Sequence, residues 1–264
     1  MASIPAKVAE RLVAGIKKFQ PILEAAKARD VNESDTVIIV TDMLSDVFGY
    51  DKYSEITSEY VIRGTYVDLA IKLEGHLQML IEVKAIGSDL KDAHIRQAVD
   101  YGANQGVDWI LLTNGASWQI YKVNFGKPVD QELILEIDFL GLSPRNADDI
   151  EDLFLITREG LMKSMLGEYH AQRQALSRYF IGALLLSDSV LDVIRRELRK
   201  ASPNVRIDND QIEDVLLSEI LKRDVVEGEK ADDARRKISR AVSRAERKAE
   251  KEKMEESDND GANT

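Results

Sequence analysis

The sequence has no cysteine, only three histidines (His76, His94 and His170), five prolines and 6% aromatic residues. The missing thiol excludes disulfides, Cys-based zinc sites and thiol catalysis, and histidines this scattered argue against a His-rich metal centre. Long apolar runs are missing too. The stretch around Trp109 to Thr113 falls far short of the roughly 18 residues a membrane span needs, so no membrane partner is expected. The N-terminus lacks the apolar stretch of roughly 7–15 residues that marks a signal peptide, which makes a cytoplasmic location the expectation. No GxxxxGK phosphate loop occurs, so ATP-driven motor chemistry is not expected of these residues. What is present in quantity is charge: 47 acidic against 36 basic groups, a formal -11. Taken alone, that balance disfavours a nucleic-acid partner, which normally leaves a basic footprint.

At roughly 100–200 residues per domain, 264 residues allow one large domain or two small ones. Residues 1–30 carry Val8, Leu12, Ile16, Phe19 and Ile22 at helical spacing, with Pro21 as a kink, and predict one or two amphipathic helices. A further helix starts at Asn32 or Ser34 as N-cap, buries Val37, Val40, Leu44 and Val47, and ends at Gly49. Strand patterns follow over 55–62, 66–73 and 77–84, then a helix over 89–104, and then a hairpin, 109–113 and 118–123, closed by Asn114-Gly115. Leu133, Leu135, Ile137 and Phe139 fall at alternate positions in a last strand. From Asn146 onward the pattern is helical. The expected organisation is a helical segment over 1–30, a mixed α/β domain over 31–145, a helical domain over 146–228, and a charged helix with a disordered acidic tail over 229–264.

The chemistry-bearing residues sit in the strand pair. Alternation puts Asp68, Ala70 and Lys72 on one face of the second strand and Gln78, Leu80, Glu82 and Lys84 on one face of the third. A three-residue loop, Glu74-Gly75-His76, sets Asp68 directly opposite Glu82; a two-residue loop separates them unless a bulge restores the register. Two carboxylates within roughly 5 Å repel unless a cation lies between them, and hard oxygen donors of this kind suit Mg²⁺ or Mn²⁺. Lys84, on the same side, can orient or deprotonate a water and stabilise charge that develops on a phosphate. The set suits metal-assisted hydrolysis of a phosphodiester.

The order Asp68, hairpin, Glu82-Val83-Lys84 resembles the PD-(D/E)xK nuclease superfamily. Gln97 to Tyr101 on the next helix is similar to the QxxxY element of its RecB-like and type I restriction branches. Leu112-Thr113-Asn114-Gly115 and Trp118-Gln119-Ile120-Tyr121 resemble the hairpin that follows in the N-terminal nuclease domain of type I restriction enzyme R subunits. The resemblance runs from about Glu33 to Tyr121 and implies a restriction-endonuclease-like mixed-sheet core flanked by helices, followed by an all-helical region. It implies a Mg-dependent endonuclease acting on DNA in restriction or another defence against foreign DNA. Asp68 and Glu82 would be metal ligands, with Lys84 and Gln97 as further catalytic residues and Tyr101 in support. A glutamate on the preceding helix often completes the metal site in the family, and Glu33 is the best match, with Glu55 and Glu59 as competitors.

Several residues also admit plainer roles. Glu33 complements a helix dipole, Gln97 reads as a surface amide, and Tyr101 as a half-buried aromatic. Trp109, Trp118 and Tyr121 are expected in the core, and Lys91, His94 and Arg96 as exposed helix charge. Residues 235–253 hold nine basic and three acidic groups, either a basic helix for DNA or a solvated helix with i,i+4 pairs. A motor or specificity subunit would have to be supplied by a partner. The competing class is a nuclease fold without activity that binds nucleic acid or a protein.

Overall fold

The computed structural model describes residues 3–62 and 65–244. The chain divides into two compact units, one ending at His170 and one beginning at Ala171.

In the first unit, α1 (Ala6–Ala28) is a single helix with Pro21 inside it, burying Val8, Leu12, Ile16, Phe19 and Leu23 along one stripe. Next comes α2 (Glu33–Asp46), capped by Asn32, whose side chain accepts a hydrogen bond from the Asp35 N–H; that resolves the choice between Asn32 and Ser34. Six strands then form one sheet in chain order: β1 (Ile56–Ile62), β2 (Thr65–Leu73), β3 (His76–Val83), β4 (Trp109–Thr113), β5 (Ser117–Asn124) and β6 (Asp130–Asp138). Neighbours are antiparallel except β3 and β4, which are parallel. A parallel pair needs a crossover, supplied here by a 3₁₀ turn (Asp92–Ile95) and α3 (Arg96–Gln105). On one face Leu69, Ile71, Met79, Ile81, Leu111, Trp118 and Ile120 meet the apolar stripes of α1 and α2. On the other, Ala70, Leu80, Ile110, Leu112 and Val123 meet Ile95, Ala98 and Val99 of the crossover. Trp118 is fully buried against Phe48, and Tyr121 is in the second cluster, so the aromatic residues are core as expected.

Two features depart from the pattern read off the sequence. Ile120 pairs with Leu135 but Tyr121 with Leu133, leaving Ile134 as an extra residue in β6. The bulge turns Ile134 inward (3% exposed) and leaves Leu133 44% exposed, against the expected alternation. The expected boundary at 145/146 falls inside the first unit. Strand signals stop there but the core does not: α4 (Ala147–Leu155) sends Ile150, Leu153 and Phe154 into the same cluster as α1, and α5 (Arg158–Met162) adds Leu161. The segment 1–30 is part of that core too.

Beyond α6 (Met165–Ala175), which crosses the division, the second unit is helical: α7 (Arg178–Leu185), α8 (Asp188–Ala201), α9 (Asn209–Val215) with a π turn over Leu216–Ile220, α10 (Arg223–Val226), and helical residues 229–244. Leu191, Ile212 and Leu216 form its small core. The rest of the charged segment, including the acidic tail, lies outside the described residues. Within 229–244, Arg235, Arg236 and Lys237 pair with Asp232 and Asp233 at i,i+3 or i,i+4, as a solvated helix would. Among the described residues, no helix is long and apolar enough to cross a membrane.

Candidate functional site

The β2–β3 hairpin decides which side chains meet. Its turn has two residues, Glu74 and Gly75, both at positive φ (51° and 80°), and it closes the pair Leu73–His76. That loop is one residue shorter than the one expected to align the carboxylates. A bulge compensates: Lys72 pairs with Leu77 but Ile71 pairs with Met79, leaving Gln78 as the extra residue. Beyond the bulge Leu69 pairs with Ile81, the last pair of the ladder, in the register that leads on to Asp68 and Glu82. The same bulge moves Leu77 off the face of Met79 and onto the cluster that holds Ala70 and Leu80.

Asp68 and Glu82 are both half-buried. The Val83 N–H donates to Asp68 Oδ2 at 2.7 Å, fixing that carboxylate against β3. Lys84 leaves the end of β3 with its own N–H bonded to the Thr113 carbonyl at 2.8 Å, an extension of the parallel β3–β4 ladder. Its Nζ lies 2.8 Å from Glu82 Oε1 and 3.5 Å from Glu33 Oε2. Glu33, in the first turn of α2, is thus the glutamate that reaches the site. Its competitors do not: Glu55 is buried in a pair with Arg158 Nε at 2.7 Å, and Glu59 is exposed on β1.

Burial raises the pKa of Asp68, and the Val83 hydrogen bond and the Lys84 charge only partly oppose it. Burial also raises that of Glu82, with the Asp68 charge adding to it and the Lys84 hydrogen bond opposing. For Lys84, burial works against the ammonium, but the hydrogen bond to Glu82 and the charges of Glu82, Glu33 and Asp68 outweigh it and leave its pKa above the ordinary lysine value. Two half-buried carboxylates, of which only Glu82 is paired with Lys84, therefore want further positive charge. This donor set fits Mg²⁺, which commonly takes one or two carboxylates and completes its shell with water and phosphate oxygens. A closed all-protein cage is not formed: among the described residues, no group of three or more His, Cys, Asp or Glu is arranged to hold a metal ion. Glu33 joins the pair through the Lys84 ammonium.

Gln97 is exposed in the first turn of α3 and makes no hydrogen bond to Asp68, Glu82 or Lys84. Tyr101, half-buried, sets its ring edge-on to Tyr60 at 6.2 Å and packs on the α3-side cluster. Lys91 and Arg96 are exposed, as expected. Asn114 contributes a contact that the sequence reading missed. Its Nδ2 donates to the Ser88 carbonyl at 3.0 Å, tying down the loop after Lys84, while Oδ1 accepts from the Ala116 and Ser117 N–H groups. Asn-Gly there signals a hairpin, and that signal hides the second task of the amide.

Residues 39–137 match the family model described as type I restriction enzyme R protein N terminus. The match contains Asp68, Glu82, Lys84, Gln97 and Tyr101, and Glu33 precedes it. Comparison with curated proteins and comparison with solved structures each gave no match.

Proposed function

We propose that the unit ending at His170 is a metal-dependent nuclease of the PD-(D/E)xK type that hydrolyses phosphodiester bonds in DNA. The observation that carries this reading is the set of Asp68, tied to the Val83 N–H, and Glu82 with Lys84, where β2 and β3 cease to pair, inside the segment that resembles the type I restriction R-subunit nuclease domain. Asp68 and Glu82 would hold Mg²⁺ or Mn²⁺. When bound, the ion supplies positive charge that polarises a phosphate and lowers the pKa of water. Lys84, whose Nζ lies 2.8 Å from Glu82 Oε1, would position the attacking water and stabilise charge developing on the phosphate. Glu33 holds the far side of that ammonium, Gln97 flanks the site from α3, and Tyr101 supports that helix. Restriction or another defence against foreign DNA follows from the family likeness. A motor or specificity subunit, if the reaction uses one, comes from outside these residues.

One observation favours a second reading, a nuclease fold that binds nucleic acid or a protein without cleaving: Lys84 already neutralises Glu82, and no three-ligand group is formed among the described residues. Incubating supercoiled plasmid with the protein and Mg²⁺ or Mn²⁺ separates the two. Wild type is expected to nick the plasmid, and Lys84→Ala and Asp68→Ala each to slow it by about 100-fold or more. Equal cleavage by all three proteins, or none with either metal, rejects the enzymatic reading.

A further inference from the structure

Residues 1–170 hold 27 acidic and 17 basic groups, a formal -10 of the chain's -11. A DNA phosphate approaching Asp68 and Glu82 does so against that charge. Residues 171–264 are nearly balanced, 19 basic against 20 acidic, but their cations are unevenly spread. Arg195, Arg196, Arg199, Lys200 and Arg206 fall in one stretch of 12 residues whose only acid is Glu197.

Four of these cations, with Asp192, line an open cavity of about 500 Å³ on α8. Arg195 with Arg199 and Arg196 with Lys200 are i,i+4 pairs, so the charges form two neighbouring rows with a step of ~6 Å along the helix. That step is close to two base-pair rises of ~3.4 Å along a duplex axis. Two of the guanidiniums are oriented by fixed acceptors. Arg195 Nη2 lies 2.7 Å from Asp192 Oδ1, which also accepts from Asn209 Nδ2 at 3.0 Å. Arg199 Nη2 donates to the Ile207 carbonyl at 2.8 Å and has no carboxylate partner among the described residues. Asn209 Oδ1 is buried without a hydrogen-bond partner among those residues, so the link to Asp192 is kept at a local cost. Glu197 lies 2.9 Å from Lys200 and 3.5 Å from Arg196, but all three side chains are more than half exposed (54–66%), where such pairs contribute little and give way to a competing anion. The helix dipole accounts for cations in the last turn of α8, Arg199 and Lys200, but not for Arg195, Arg196 or Arg206.

We infer that this face of α8 docks the phosphate backbone of duplex DNA, contributing affinity without reading sequence. The inference is separate from the nuclease reading, because it requires binding and not cleavage. Anisotropy of a fluorescent duplex of about 20 base pairs, titrated with the full chain in EDTA from about 50 to 200 mM NaCl, tests it. Arg196→Ala/Arg199→Ala/Lys200→Ala is expected to weaken binding about tenfold or more at the low-salt end and to flatten the log–log salt slope by about 2–3, at ~0.9 per phosphate contact. Arg196→Lys/Arg199→Lys, which keeps the charge, should retain the slope. Arg235→Ala/Arg236→Ala/Lys237→Ala removes as much charge from residues 229–244 and should change the slope by less than about 0.5. Equal losses in the two triple variants, an unchanged α8 triple, or no binding by wild type overturns the inference. So does displacement of the duplex by inorganic phosphate at matched ionic strength, the behaviour of a small-anion site. A chain that binds through α8 yet leaves plasmid intact fails only the nuclease reading.

Discussion

Burial lifts the pKa of Asp68 and of Glu82, and this has a consequence for stability opposite in sign to that of most paired carboxylates. When the folded pKa is raised, the folded state prefers the protonated form. The stabilising contribution is then fully present below the unfolded value of ~4 and is lost as pH rises through the folded value. Asp68→Asn keeps an oxygen to accept the Val83 N–H and removes the charge. In EDTA at pH 7 it should raise the melting temperature by roughly 1–3 °C, with the gain shrinking toward pH 4 as the wild-type carboxylate takes up its proton. Divalent metal should reverse the order, because an ion that binds only the folded wild type stabilises it by mass action while the variant gains little. Scanning fluorimetry at both pH values, with and without Mn²⁺, checks this; a wild type more stable than the variant in EDTA at pH 7 contradicts it. That Asp68, Glu82 and Lys84 could fall on one face was legible because strand alternation is a local signal. The choice among Glu33, Glu55 and Glu59 was not. What removes Glu55 is Arg158, 103 positions away in sequence, and no local pattern announces that pairing.

The elements that position these residues contain two irregularities; a bulge in the β2–β3 pair was one of the alternatives the sequence allowed, but its place at Gln78 and the bulge in β6 were hidden for the same physical reason. Leu77-Gln78-Met79 reads as clean apolar-polar alternation whether or not Gln78 is an extra residue, and Leu133-Ile134-Leu135 is apolar throughout. A bulge alters pairing without altering composition, so it shows only once the partner strand is in place. The turns were more legible, since Gly75 and Gly115 supply the positive φ that each turn needs. Their two glycines nevertheless differ in what surrounds them. Both need φ near +80°, but a Cβ at Gly75 meets nothing within 4 Å, whereas one at Gly115 lies 3.1 Å from Leu23 Cδ2 in the core between α1 and α2. Gly75→Ala should therefore cost only the backbone term, about 1 kcal/mol, and Gly115→Ala about 2 kcal/mol or more. Urea unfolding of both variants reads the difference, and equal midpoints would show that Leu23 gives way freely. Under the proposed nuclease function, Gly115→Ala should also reduce cleavage more than Gly75→Ala does, since Asn114 holds the loop after Lys84 from the neighbouring position.

Across the whole molecule, composition marked where strands end but not where the first core ends. Gly141, Ser143 and Pro144 cluster at the expected boundary, yet the apolar stripe of α4 returns to the sheet, and the compact unit continues to His170. The two units are also built to different depth. The first is held by two large clusters on opposite faces of a six-stranded sheet. The second has Leu191, Ile212 and Leu216 at its centre, while Ile181, Leu184 and Ile220 stay 44–63% exposed. Opening free energy follows buried apolar contact, so the second unit should open at lower cost. Hydrogen exchange is expected to find the amides of α7, α8 and α9 much less protected than those of β3, β4 and β5. Leu191→Ala, at a site 1% exposed, should cost about 2–5 kcal/mol. If the units open separately, that loss appears as faster exchange over residues 178–220 with no change in β3 to β5. Equal protection throughout, or acceleration of both regions by the one substitution, would mean that the chain opens as a single cooperative body. The outcome also bears on α8. A cationic surface on a unit that opens readily would be ordered by the DNA it holds, and bound duplex should then slow exchange in α8 and α9 before it affects the sheet.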